Sequence, residues 1–231
     1  MELLRYFENP FYIPRLKFNT FTTAVEIHIA RLSTNNPAGI YDAIIAETKL
    51  LFAAFKETRS LMDSEFAEQQ GSTITTGNAR AACLKLVRNR EGYIRYKFGG
   101  NSTAGYIEFF PEGLKELSSI RLMKLDFFMQ RMVTKATNHQ AVLGPELLAE
   151  FEVAYQAFQA ARDAQTTNMV QTKILRTRTH NARKALADQL MRNLHTIGLH
   201  NITNPEAAAD YFDQSLFTPP RGRKKQNPDE G

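Results

Sequence analysis

The chain has 231 residues, of which 43% are hydrophobic and 23% charged, with a net charge of +5 and a sequence pI of about 9.3. That length and balance belong to a globular protein large enough to bury a core. Cys83 is the single cysteine, which excludes an internal disulfide and a cysteine-ligated zinc cluster, and no run of about 18 apolar residues suggests a transmembrane helix.

Met1 to Pro10 carries charges and no long apolar run, so no signal peptide is expected and a cytoplasmic location is the default. Pro10 and Pro14 disfavour a helix over the stretch that follows. Residues 1–18 therefore read as an extended arm that lays Phe7, Phe11, Tyr12, Ile13 and Leu16 on the protein's own core or on a partner subunit. From Asn19 to Ser33, Ala24, Val25, Ile27, Ile29 and Leu32 form an imperfect helical stripe, with Thr20 or Thr22 as a cap. Asn35, Asn36, Pro37 and Gly39 break it.

From about 40 to 69, Ile44, Ile45, Leu51, Phe52, Phe55, Met62 and Phe66 share one helical face. Gly71 to Gly77 (GSTITTG) reads as a loop, and Asn78 to about Phe98 as a return helix. Gly99 to Gly105 is a second loop. A connecting helix is expected over 111–138, with Pro111 in its first turn. Gly144 and Pro145 end it. Glu146 to Ile197 holds neither Gly nor Pro and, taken alone, reads as one very long helix.

An internal repeat argues for a turn there instead. Shifted by 103 positions, the first half falls on the second without a gap from Ala46 to Ile94. Phe55 and Arg59 land on Phe158 and Arg162; Thr76, Asn78, Ala79, Arg80 and Ala82 land on Thr179, Asn181, Ala182, Arg183 and Ala185. With a small slip, Phe110 and Leu114 meet Phe212 and Leu216. The Gly71–Gly77 loop then corresponds to Ile174–His180. Asn78 and Asn181 become the candidate N-caps of two return helices. The expected fold is all-α: two tandem helical hairpins forming a four-helix bundle-like core, with an extra N-terminal helix and a connecting helix. Copy one spans about 40–115 and copy two about 144–217, within a duplicated bundle over 19–217.

Charge follows the repeat. Residues 42–68 carry a net −3 and 80–97 a net +5; residues 146–163 carry −3 and 173–192 carry +5. The simplest reading is electrostatic complementarity within each hairpin. Exposed pairs of this kind contribute only about 0–1 kcal/mol each.

Copy two resembles helical units of uncharacterised, internally duplicated helical-bundle proteins of the Bacteroidota. The resemblance rests on Tyr155, Phe158, Asn181, Arg183, Lys184 and Ala185, followed by Asn201 to Pro205. It covers roughly 145–217 and, less closely, 40–115. It implies a helical bundle and a bacterial source, and it transfers no activity and no functional residue.

No chemistry stands out. His28, His139, His180, His195 and His200 form no metal-ligand spacing, and the glycines at 99, 100 and 105 match no phosphate-binding loop. Glu47, Glu150, Arg59 and Arg162 read as a structural network. No catalytic residue, cofactor, metal or small-molecule ligand is predicted, and no enzyme. The leading expectation is a non-enzymatic bundle acting through a protein partner or as a homo-oligomer. The alternative is nucleic-acid binding. It would use Arg88, Arg90, Arg95 and Lys97 beside Tyr93 and Tyr96, together with Arg221, Arg223, Lys224 and Lys225 in a disordered basic tail over 218–231.

Overall fold

The computed structural model describes residues 8–217. They form eight α-helices: α1 (Phe18–Thr34), α2 (Asp42–Phe98), α3 (Ala104–Phe109), α4 (Lys115–Ser119), α5 (Leu122–Asn138), α6 (Gln140–Leu143), α7 (Pro145–His200) and α8 (Pro205–Ala209). Short 3-10 turns lie at Pro37–Gly39 and Gln214–Phe217, and no strand occurs among the described residues. None of these helices is long and apolar enough to cross a membrane.

The all-α expectation holds, but the hairpins do not. Residues 71–77 lie inside the 57-residue α2, and residues 174–180 lie inside the 56-residue α7. Each expected hairpin is one unbroken helix, so two long helices replace the four-helix core of tandem hairpins. The reason is local. A helical glycine costs only about 1 kcal/mol. The hydroxyls that suggested a loop bond back within the helix: Thr73 and Ser72 donate to Gln69 O, Thr75 to Gly71 O and Thr76 to Ser72 O. The true end of α2 is at Gly99, in the left-handed region at φ 77°, where the Gly100 N–H reaches Arg95 O at 2.9 Å.

A β-carbon added at Gly71 or Gly77 would meet no atom within 4 Å. Substituting both by alanine should therefore stabilise the protein by about 1–2 kcal/mol. Denaturant melts would show it, and a loss of stability would mean that the segment is not helical.

The chain divides into two compact units, residues 1–62 with 175–231 and residues 63–174. The units cut across the two sequence copies, since each takes part of α2 and part of α7. In unit 1, α1 buries Phe21, Ala24, Val25, His28 and Leu32 against the early turns of α2, the late turns of α7 and Tyr211 and Phe212 beyond α8. The arm packs on its own unit. Phe11 stacks on Phe212 with ring centroids 5.0 Å apart, and Asn9 donates to Asp188 at 2.9 Å. The contact expected of Phe7 lies outside the described residues, as does the tail over 218–231.

In unit 2, α5 buries Leu125, Phe128, Met129, Met132 and Ala136, each 104 positions after its α1 counterpart. Together with α3 and α6 it covers the late turns of α2 and the early turns of α7. The expected connecting helix over 111–138 is broken. Ile120 and Arg121 are extended, at ψ 118° and 158°, and separate α4 from α5. Ile120 gives its carbonyl to Arg80 Nη2 at 2.9 Å, a tertiary bond that a continuous helix would withhold.

Several bonds recur at the repeat offset. Thr76 donates to Ala161 O at 3.0 Å in unit 2, and Thr179 donates to Thr58 O at 3.1 Å in unit 1. Arg80 holds Ile120 O, and Arg183 holds Leu16 O at 2.9 Å. Between these points the long helices are poor in core. No buried apolar side chain falls between Phe55 and Cys83 on α2, or between Ala161 and Leu186 on α7.

The charge pattern finds a different partner from the expected one. In each unit the two long helices run antiparallel. The acidic start of α2 meets the basic end of α7 in unit 1, where Asn193 bonds Thr48. The basic end of α2 meets the acidic start of α7 in unit 2, where Arg90 pairs with Glu150. Complementarity therefore acts between the long helices.

Candidate functional site

Asn78 and Asn181 are not helix caps. Both lie exposed in helix interiors, where backbone N–H groups already bond the preceding turn. Their neighbours carry the structural roles. Thr76 and Thr179 bridge to the facing helix, and Arg80 and Arg183 hold the chain that enters α5 and α1. The repeat had aligned all four residues, so that signal was available in the sequence.

The candidate nucleic-acid contacts fall on one exposed stretch of α2. Arg90 Nε donates to Glu150 Oε2 at 2.7 Å while its Nη2 pairs with Oε1. Arg95 lies 4.0 Å from Glu91, and Lys97 sits over the Tyr93 ring at 5.6 Å. Arg88 is exposed beside them. Arg221, Arg223, Lys224 and Lys225 lie outside the described residues. Of the four residues expected in a structural Glu–Arg network, Glu150 bonds Arg90 and Arg162 bonds Gln165 at 2.7 Å.

Cys83 is fully buried, its thiol donates to Ala154 O at 3.3 Å, and burial pushes its pKa up to about 11. That holds it as the unreactive thiol. No group of three or more metal-ligating side chains is gathered among the described residues.

Two features of unit 1 were not foreseen. The first is a polar cluster in the core. His28 Nδ1 lies 2.9 Å from Tyr211 O, which can only accept, so Nδ1 carries the proton. Nε2 then accepts from Asn193 Nδ2 at 3.0 Å. Asn193 also donates to Thr48 at 2.8 Å, and Gln189 donates to Asn193 Oδ1 at 2.9 Å. His28 and Asn193 are completely buried, and burial draws the His28 pKa down to about 4, partly offset by the Tyr211 carbonyl. In unit 2 the corresponding positions hold Met132, Phe151 and Phe109 in place of His28, Thr48 and Tyr211.

The second is a cavity of about 810 Å³ at the end of α7, lined by Phe11, Leu194, Gly198, Ala208, Phe212 and Phe217 among others. Its polar lining side chains are His195 and Gln214. Phe212 joins the two features, because its ring stacks on His28 at 4.2 Å. That stack puts one side of the cavity wall directly on the buried cluster.

No protein-family model, curated protein or solved structure matches the chain.

Proposed function

We propose that this is an internally duplicated, non-enzymatic helical protein that works by self-assembly, through the middle stretches of its long helices in unit 2. One observation carries the reading. Phe66, Ile74, Met169, Val170 and Ile174 are exposed on two helices that bury no apolar side chain there, with Ile74 at 65% and Val170 at 52%. Large apolar residues gathered on a helix pair are the usual mark of an interface. A second copy offers the same apolar stretch, which lets the patch cover itself about a twofold axis. The bonds that recur at offsets of 103 and 104 support the duplication.

Nucleic-acid binding through Arg88, Arg90, Arg95 and Lys97 has less support, because Arg90, Arg95 and Lys97 all engage the chain itself.

Light scattering at high micromolar concentration should find a species larger than the monomer. The pair Phe66→Asp and Ile74→Asp should weaken association at least tenfold, about 1.4 kcal/mol, with the helical signal kept. A wild-type protein that stays monomeric overturns the proposal.

A further inference from the structure

We infer that the cavity at the end of α7 binds a small, uncharged aromatic molecule, seated where unit 2 keeps the ring of its own Tyr106. The two units supply the comparison. In unit 2, α3 buries Tyr106, whose hydroxyl donates to Glu91 Oε1 at 2.7 Å, and Arg95 lies 4.0 Å from the same carboxylate. Tyr106 thereby ties α3 to the end of α2.

The matching positions in unit 1 are Ala208, Leu194 and Gly198, at offsets of 102 for the short helix and 103 for the long ones. All three line the cavity. The frame around them is retained. Phe109 and Phe110 correspond to Tyr211 and Phe212, Ile94 corresponds to Ile197, and all six are buried. Unit 1 thus keeps the socket and lacks the plug.

What remains selects the guest. Phe11, Phe212 and Phe217 make an aromatic wall, with Phe11 stacked on Phe212 at 5.0 Å and edge-on to Phe217 at 4.9 Å. Flat rings pack on such a wall in stacked or edge-on geometry. Leu194 replaces the Glu91 acceptor and the lining side chains are apolar apart from His195 and Gln214, which disfavours a charged guest. The volume, about 810 Å³, falls within the roughly 300–1,000 Å³ of ligand sites.

The test is a fluorescence titration of the full chain with N-phenylnaphthylamine, an uncharged aromatic probe. Saturable binding at one site per chain is expected, displaced by naphthalene far better than by n-decanol. Ala208→Tyr, which returns the plug, should weaken binding at least tenfold with the circular dichroism and melting temperature retained. The double variant Leu194→Glu with Ala208→Tyr, which restores the hydrogen-bonded pair, should do the same if the single variant folds poorly. Phe66→Asp with Ile74→Asp should bind the probe as the wild type does. The inference is overturned by a wild type that shows no saturable binding, by a folded Ala208→Tyr or double variant that binds unchanged, by loss in the Phe66 and Ile74 variant, or by displacement with n-decanol as effective as with naphthalene.

Discussion

Acidification from pH 7 to pH 5 should remove about 2 kcal/mol of stability through His28 alone. The folded state holds this imidazole neutral, with a pKa of about 4, against an ordinary value of 6.5. The unfolded chain therefore binds a proton that the folded one refuses. Stability falls as the pH drops through 6.5 and levels off below about 4, where the whole effect reaches about 3 kcal/mol. Burial is the main cause. The hydrogen bonds supply the geometry, since a protonated Nε2 would point a second N–H at the Asn193 amide. His28→Met places in unit 1 the residue that unit 2 carries as Met132. It should cost about 1–3 kcal/mol at neutral pH by leaving Tyr211 O and one Asn193 N–H unpaired. It should also flatten the profile between pH 7 and 5. A variant as acid-sensitive as the wild type over that interval would remove His28 from the account.

Arg183→Met should destabilise the protein by about 3 kcal/mol, more than Arg80→Met. The Arg183 guanidinium donates to Ile13 O and Leu16 O, both at 2.9 Å, and lies over the rings of Phe18 and Phe21 at 5.3 and 5.0 Å. Methionine keeps much of the stem, takes from Leu16 O its Arg183 donor and leaves Ile13 O with only the Leu16 N–H, and it removes the cation from the two rings. Arg80 holds a single carbonyl, that of Ile120. Both bonds leave the one nitrogen Nη2, so lysine at 183 keeps a charged donor but not the planar group over the Phe18 and Phe21 rings, and it should recover only part of the loss. Urea unfolding of the three variants would decide the order. Equal losses at 80 and 183 would show that the second carbonyl and the ring contacts contribute nothing.

The sequence disclosed the helical class, α1 to within a residue or so at each end, the break at Asn35–Gly39 and the end of α2 at Gly99. Each of these rests on periodicity or on a glycine that a turn requires. The hairpin turns were misread because Gly71, Ser72, Thr73 and Thr75 look the same in a loop as in a helix until their hydroxyls have acceptors. The break before α5 was hidden for the opposite reason. Nothing near Ile120 interrupts a helix, and the partner of its carbonyl is Arg80, 40 residues away. α1 starts at Phe18 and α5 at Leu122, an offset of 104, one more than the 103 read from the long helices. The cavity was invisible for a further reason. It is made of subtractions, Ala208, Leu194 and Gly198, and small or plain residues carry no signal until set beside the side chains they replace.

The division of the chain has a consequence for the order of events during synthesis. Unit 2 is continuous, residues 63–174, and its bonds from Arg90 to Glu150 and from Gln165 to Thr73 join positions 60 and 92 residues apart. Unit 1 is closed by partners from opposite ends of the chain. His28 waits for Asn193, 165 residues later, and Asn9 waits for Asp188, 179 residues later. A chain emerging from its N-terminus can complete the inner unit while the outer one still lacks half its core. Until the last turns of α7 leave the ribosome, Phe21, Val25 and Phe55 have no finished place to hide. The nascent protein therefore spends that interval with an open apolar surface.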